Sequence, residues 1–150
     1  MNESTALRRT PLNSEHRTLN ARLVPFAGWE LPVQYSGVLE EVRAVRSRAG
    51  MFDVSHMGRF RLSGPRALDY LQYAVTNDVA SLGDGTGQYT LLLEDDGGVL
   101  DDLILYRLKL DEFLLVVNAA NAARDYEVLS RDRPDSALLF DATEETAMIA

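Results

Sequence analysis

Hydrophobic positions in the first third of the chain show one helical repeat. Residues 1–20 are polar and irregular, and the Pro and Gly residues between Pro25 and Pro32 predict a loop. Valines at positions 38, 42 and 45 then recur at the spacing of one helix face. Ser36 suits the N-cap of this helix and Gly50 its C-terminal stop. The pattern predicts an amphipathic helix between these two residues.

The rest of the chain changes repeatedly between strand-like and helical patterns. Three predicted strands follow one another closely, and Asp95-Asp96-Gly97-Gly98 is a strong turn signal between two of them. No spacing demands a parallel sheet, so the order predicts an α+β domain with an antiparallel sheet and flanking helices. The predicted elements are strands at 57–63, 88–94, 99–108 and 113–118, a helix opened by Gly64-Pro65, and a last helix with Ala122, Tyr126 and Leu129 on one face.

Composition fits one ordinary globular domain of 150 residues, with 46% apolar and 25% charged residues. No apolar run approaches the roughly 20 residues that span a bilayer, and the N-terminus lacks a signal-peptide core. The chain has no cysteine, which excludes disulfides, thiolate nucleophiles and cysteine metal sites. A cytoplasmic protein without a membrane partner is the simplest interpretation.

The net charge of −8 argues against a nucleic-acid partner, because such binding needs a basic face. Residues 1–66 carry ten arginines and six acids, a net +4, whereas residues 67–150 carry five basic residues and 17 acids, a net −12. The two parts are either ordinary solvated surfaces, or the basic part meets an acidic partner or an anionic ligand.

Asp101 and Asp102 are the most informative pair because aspartate is disfavoured inside a strand. Successive strand side chains point to opposite faces, so these two carboxylates cannot share one. If both faces are covered, burial raises the pKa of one carboxyl unless donors or a cation compensate. The pair is then a candidate site, although a solvated aspartate beside one that caps backbone N–H groups fits the pattern equally well.

Other polar motifs point to chemistry more weakly. The glycines between Gly83 and Gly87 lack the lysine of a phosphate-binding loop. His16 and His56 lie far apart, so no metal site is expected. Asp53, Ser55 and His56 suggest a catalytic triad, but adjacency in sequence is no signal of that geometry and a structural role is favoured. Asn118 suits either a bidentate contact with a heterocycle or a helix N-cap.

Long segments in a fixed order identify a resemblance to the aminomethyltransferases, the T-proteins of the glycine cleavage system. The match extends over nearly the whole chain and is far more specific than a short motif. The matching segments are TPL (10–12), FAGWE (26–30), EVRAVR (41–46), GMFDVSHMG (50–58), TND (76–78), GGVLDDLILY (97–106) and VVNAAN (116–121). His16 matches as well, as a single residue.

This resemblance implies a tetrahydrofolate site in which Asp102 is the functional carboxylate and Asp101 is structural. The implied reaction transfers a methylene group from the aminomethyl-lipoyl arm of H-protein to tetrahydrofolate, with release of ammonia and formation of 5,10-methylenetetrahydrofolate. No metal is implied. The positions that line the pterin pocket in similar proteins are Met57, Tyr89, Tyr106, Val116 and Asn118.

Family members are more than twice as long and build their site from three lobes. Residues 1–150 are therefore expected to be an incomplete N-terminal part of the folate-binding domain, cut within the apolar run 147–150 and inactive alone. Alternatives are the folate domain of a related demethylase or oxidase, a non-catalytic folate-binding accessory protein, and an unfinished domain that binds nothing.

Overall fold

The computed structural model describes residues 6–150, which form two compact units. The chain up to His56, together with Glu145–Ala150, makes the first unit, and Met57–Glu144 makes the second. The first unit contains β1 (Arg8–Arg9), α1 (Asn13–Thr18), β2 (Arg22–Phe26), β3 (Trp29–Gln34) and α2 (Val38–Ser47). The second contains β4 (Gly58–Ser63), α3 (Ala67–Ala74), β5 (Gly87–Leu93), β6 (Val99–Lys109), β7 (Glu112–Val117), α4 (Ala122–Arg131) and β8 (Leu138–Asp141).

The loop predicted between Pro25 and Pro32 is wrong, because β2 and β3 form an antiparallel hairpin. Its turn holds Ala27 and Gly28 at φ values of 47° and 80°. Strand β2 lies at the edge of the sheet β1-β3-β2, and β1 covers only the first two residues of β3. Both prolines thus lie where a missing N–H is tolerated. The pairing of β1 with β3 is parallel, whereas the sequence pattern predicts only an antiparallel sheet.

Helix α1 lies within the stretch predicted to be irregular. It was missed because its buried side chains, Asn13 and His16, are polar and make no apolar stripe. Helix α2 agrees with prediction in position, but its valine stripe does not enter a core. Within the part of the chain that the structure describes, α2 has no buried residue, and Val42 remains 40% exposed.

In the second unit, an antiparallel sheet of order β5-β6-β7-β4-β8 confirms the predicted α+β architecture with flanking helices. Strand β8 was not predicted, and it pairs with β4 at one edge of the sheet. One face of the sheet is buried against α3 and α4. The residues at the centre of this core are Phe60, Leu62, Leu71, Leu103, Leu105, Phe113, Leu115, Val117 and Leu129.

Among residues 6–150, the structure contains no helix long and apolar enough to cross a membrane.

Candidate functional site

The face of this sheet opposite the core collects most of the predicted site residues. Tyr89 pairs with Ile104 and Ile104 pairs with Val116, so these three side chains form one row across β5, β6 and β7. Strand alternation adds positions two residues away on the same side. We call this surface the open face, and it consists of Tyr89, Asp102, Ile104, Tyr106, Val116 and Asn118.

Asp102 lies at the polar end of the open face, with one donor on each carboxylate oxygen. The Tyr89 hydroxyl donates to Oδ2 at 2.6 Å, and Nδ2 of Asn118 donates to Oδ1 at 3.0 Å. The hydrogen bond to Asp102 raises the pKa of Tyr89 above its ordinary value. Asp102 itself is exposed. Residues 6–150 therefore do not place it in the apolar surroundings that the sequence allowed for one of the two carboxylates.

Asp101 points to the opposite face, as strand alternation predicts, and is only 4% exposed. It accepts hydrogen bonds from the backbone N–H of Asn118 at 3.1 Å and from Nδ2 of the same residue at 2.9 Å. Nδ2 of Asn121 donates at 2.7 Å. Burial acts to raise the pKa of Asp101, but these hydrogen bonds outweigh burial and hold the pKa below its ordinary value.

Asn118 joins the two aspartates because it follows the last residue of β7, at the end of the sheet. Its Nδ2 lies within hydrogen-bond distance of Oδ1 of Asp101 and of both the backbone oxygen and Oδ1 of Asp102. The alternative of a helix N-cap is wrong, since the N-cap of α4 is Asn121. With Nδ2 directed at these acceptors, the amide oxygen of Asn118 is the group available to accept a hydrogen bond.

Asp125 belongs to this cluster but was not predicted. It is fully buried on α4 and lies against Asp101, and no donor reaches either of its oxygens among residues 6–150. Burial, together with the negative charge of Asp101, raises its pKa to about 8. A signal existed in the sequence: Asp125 falls within the apolar stripe of Ala122, Tyr126 and Leu129, where an unpaired charge is costly.

Met57 borders the open face, and Tyr106 lies on it against β5. Gly58 pairs with Val117, so Met57 comes beside the end of β7 next to Asn118. The ring of Tyr106 lies over Gly87, where a Cβ would come within 2.5 Å of Cδ1 of the ring. The missing side chain therefore lets this tyrosine lie close against β5.

The segment 76–78 supports the site through β5, a role that sequence reasoning did not assign. Nδ2 of Asn77 donates to the backbone oxygen of Tyr89 at 2.6 Å. The backbone N–H of Asn77 donates to the Thr90 hydroxyl at 3.1 Å, and the Thr76 hydroxyl accepts from the backbone N–H of Leu91 at 3.2 Å. These contacts hold the strand that carries Tyr89.

The triad considered for Asp53, Ser55 and His56 is wrong, because the histidine bonded to Asp53 is His16. Nε2 of His16 lies 2.8 Å from Oδ2 of Asp53, and Tyr35 contacts the other ring nitrogen at 2.9 Å. His56 instead packs its ring edge-to-face with Phe26. The buried pair belongs to the first unit and ties α1 to the segment before β4.

A cavity of about 330 Å³ in the second unit is lined by Tyr70, Tyr73, Leu92 and Val128, among others, and by none of the predicted site residues. The candidate site instead lies on an exposed face, with Tyr89 58% exposed and Asp102 open to solvent. Over the same residues 6–150, no group of three histidine or acidic side chains is placed to hold a metal ion.

Comparisons with known proteins agree on one family. Residues 12–150 match the family model described as the GCVT N-terminal domain. An aminomethyltransferase from Symbiobacterium thermophilum is 51% identical over 154 residues, which cover 100% of this chain and 40% of that protein. One from Chloroherpeton thalassium is 47% identical over 145 residues, with 96% and 40% coverage.

A solved structure shows the same fold. The crystal structure of glycine cleavage system aminomethyltransferase T from Bartonella henselae matches with a TM-score of 0.85 at 40% identity, covering 90% of this chain and 38% of that one. The chain thus spans about 40% of the length of the curated relatives it matches. Because the family match covers nearly all of its residues, this chain belongs to the GCVT N-terminal domain family and shares the fold of the aminomethyltransferases.

Proposed function

We propose that this chain supplies the pterin-binding face of an aminomethyltransferase of the glycine cleavage system. The whole protein would transfer a methylene group from the aminomethyl-lipoyl arm of H-protein to tetrahydrofolate, releasing ammonia and forming 5,10-methylenetetrahydrofolate. Family membership supports the reaction class. The observation that carries the assignment to this surface is the Asp102 carboxylate, held by Tyr89 and Asn118 at the end of the open face.

The chemistry of the open face suits a flat heterocycle that carries N–H donors. Each oxygen of Asp102 already accepts one hydrogen bond and keeps a further lone pair for a ligand. The amide oxygen of Asn118 is a third acceptor beside them. Ile104 and Tyr106, each 37% exposed, offer apolar area for the faces of a ring system, whereas Val116 is buried behind them. A reduced pterin, with N–H groups along its edge, fits this combination.

In this proposal, tetrahydrofolate supplies the nucleophilic nitrogen that receives the one-carbon unit. The residues of this chain orient the bound ligand and stabilise the charge that develops on it. Tyr89 and Asn118 hold the Asp102 carboxylate in one orientation before any ligand binds, which makes its charge preorganised. That charge stabilises the positive charge that develops in an iminium-like transition state. The effect grows when a bound ligand excludes water from the exposed carboxylate, because the local dielectric constant then falls.

The test is anaerobic calorimetry of the 150-residue chain with tetrahydrofolate. Replacing Asp102 with Asn removes a charged acceptor but keeps the size of the side chain. A lost hydrogen bond to a charged group costs about 1.5–3 kcal/mol, so the dissociation constant of the Asp102→Asn variant should rise about 10- to 150-fold.

The matched control is Asp95→Asn, which removes an exposed carboxylate in the turn between β5 and β6. Its affinity for tetrahydrofolate should equal that of the wild-type chain. Equal affinity of the Asp102→Asn and wild-type chains would remove Asp102 from the binding site. A wild-type chain that releases no heat and gains no thermal stability with tetrahydrofolate would contradict the proposal that this face binds folate by itself.

A further inference from the structure

Strand β5, which carries Tyr89, lies at one edge of the five-stranded sheet. Among the residues that the structure describes, this sheet has the order β5-β6-β7-β4-β8, so β5 pairs with β6 on one side only. Backbone groups of β5 that point away from β6 need a partner from another part of the chain or from water. The backbone oxygen of Tyr89 is such a group, and the hydroxyl of the same residue donates to Asp102 at 2.6 Å.

The short segment that follows α3 pairs with the C-terminal part of this edge. Val75 forms an isolated antiparallel bridge with Leu92. The backbone N–H of Thr76 donates to the backbone oxygen of Leu91 at 3.1 Å, and the Thr76 hydroxyl accepts from the backbone N–H of Leu91 at 3.2 Å. The segment therefore acts as a short neighbouring strand down to Leu91, two positions from Tyr89.

Asn77 continues this contact with its side chain instead of its backbone. Its backbone N–H donates to the Thr90 hydroxyl at 3.1 Å and is thereby directed away from Tyr89. Its Nδ2 donates to the backbone oxygen of Tyr89 at 2.6 Å. Because a carbonyl oxygen can only accept, the amide must present its nitrogen at this point, and its orientation is fixed.

The phenol of Tyr89 depends on this backbone contact because packing restrains it only weakly. Tyr89 is 58% exposed, yet its hydroxyl must reach Oδ2 of Asp102 in a geometry that a small displacement of the strand would spoil. Tyr89 pairs with Ile104 of β6, but the carbonyl that bonds to Asn77 points away from that strand. On its outer side, β5 is therefore held at Tyr89 by the Asn77 amide.

We propose that Asn77 is a positioning residue for the candidate site: its amide acts as a neighbouring strand would at Tyr89 and fixes the point from which the Tyr89 hydroxyl donates to Asp102. Within residues 6–150 the side-chain hydrogen bonds of Asn77 join it to Tyr89 and Thr76, so its effect on Asp102 passes through Tyr89. Without the amide, β5 can move at its edge, and Asp102 loses one of its two donors for part of the time. The consequence for ligand binding rests on the proposed function, whereas the coupling of Asn77 to Tyr89 does not.

The coupling is tested by an NMR titration of isotope-labelled tyrosine in the chain without any ligand. In the wild-type chain, the hydrogen bond to Asp102 raises the pKa of Tyr89 above its ordinary value. In Asn77→Ala the hydroxyl should bond to Asp102 less fully, so the pKa of Tyr89 should fall toward that ordinary value. Gln72→Ala is the matched control, because it removes an exposed amide of α3 whose hydrogen bond goes to the backbone N–H of Ala80. It should leave the titration of Tyr89 unchanged.

Folate affinity in a double-mutant cycle provides the second readout. Loss of one neutral hydrogen bond changes an equilibrium constant about 2- to 12-fold, so the dissociation constant of Asn77→Ala for tetrahydrofolate should rise by that factor. In a Tyr89→Phe background, which lacks the hydroxyl, the same change Asn77→Ala should have little further effect. A merely structural role of Asn77 would weaken binding by the same factor in both backgrounds.

The two readouts separate the two claims. A Tyr89 pKa that is the same in Asn77→Ala and in the wild-type chain, or equal effects of Asn77→Ala in both backgrounds, would overturn the positioning role even if tetrahydrofolate binds well. Absence of tetrahydrofolate binding to the wild-type chain would contradict the proposed function, while the titration of Tyr89 would still decide the role of Asn77. If Asn77→Ala does not fold, Asn77→Ser, whose side chain is too short to reach the Tyr89 oxygen, replaces it in both measurements.

Discussion

At the scale of single residues, four aspartates show how surroundings decide the state of one side chain. Asp102 is exposed, Asp101 is buried among N–H donors, and Asp125 is buried beside another acid. Asp53 is buried among Thr10, His16 and Ser55. Donors lower the pKa of a buried carboxyl and a neighbouring carboxylate raises it, so identical residues serve as anion and as acid.

Asp53 should make the stability of the chain depend on acid pH. Burial acts to raise its pKa, but hydrogen bonds from Ser55, Thr10 and His16 hold the pKa at about 2, below the ordinary 3.8. Because the folded value lies below the unfolded one, the stabilisation is complete above about pH 4 and is lost as the pH falls toward 2. It amounts to about 2 kcal/mol.

Urea unfolding of the wild-type chain and of Asp53→Asn between pH 2 and pH 7 measures this contribution. The difference in the free energy of unfolding should be largest near pH 7 and shrink below pH 4. Glu15→Gln, which alters an exposed acid on α1, should follow the wild-type curve. A difference that is independent of pH would show that Asp53 stabilises by packing alone.

At the scale of secondary-structure elements, the geometry of the site depends more on how closely helix α4 approaches the sheet than on helical or strand propensity. Helix α4 lies against the sheet at Gly58, where an added Cβ would meet Cγ2 of Val117 at 2.6 Å and the Cβ of Ala122 at 3.0 Å. This close approach lets Asn121, the N-cap residue of α4, reach Asp101 with its Nδ2 at 2.7 Å. The distance between α4 and the sheet therefore sets the geometry beneath the open face.

Gly58→Ala should push α4 away from the sheet. Overpacking of a core costs about 1–3 kcal/mol, so the free energy of unfolding should fall by that amount, and the Asn118 amide resonances should shift. Gly83→Ala is the matched control, because a Cβ at Gly83 meets nothing within 4 Å. Equal stability of the two variants would contradict the close packing of α4 against β4.

At the scale of the whole molecule, residues distant in sequence complete each unit. In the first unit, Phe52 and Ala150 exchange two backbone hydrogen bonds of 2.9 and 3.0 Å, and Val54 donates to Met148 at 3.0 Å. In the second, β8 pairs with β4. Each unit therefore depends on the last part of the chain to satisfy backbone groups of an earlier part.

Removal of residues 145–150 should affect the first unit selectively. The backbone N–H groups of Phe52 and Val54 lose their acceptors, so their amide hydrogens should exchange much faster with solvent. Amides of β7, such as those of Leu115 and Val117, should keep their protection because the second unit contains all of their partners. Equal loss of protection in both units would show that they unfold together.

Much of the second unit could be predicted from local pattern. Period-two alternation in β4 to β7, the turn at Asp95–Gly98 and the helical stripe of α4 each express a local physical preference. The same alternation correctly separates Asp101 from Asp102. The hairpin β2–β3 was missed because proline is tolerated in a strand only where no partner needs its N–H. Whether Pro25 and Pro32 meet this condition depends on which strands pair with β2 and β3, and the pairing of β1 with β3 is not visible in the local pattern.

The sequence by itself determined the fold class, most strands and helices, and the opposite directions of the two adjacent aspartates, because these depend on the chemistry of near neighbours. Only the tertiary structure decided which aspartate is buried, that one amide joins them, that Asp53 bonds to His16, and that Asp125 lies against Asp101. Burial, hydrogen bonding and pKa depend on groups that come from other strands and helices, and their distances exist only once the chain has folded.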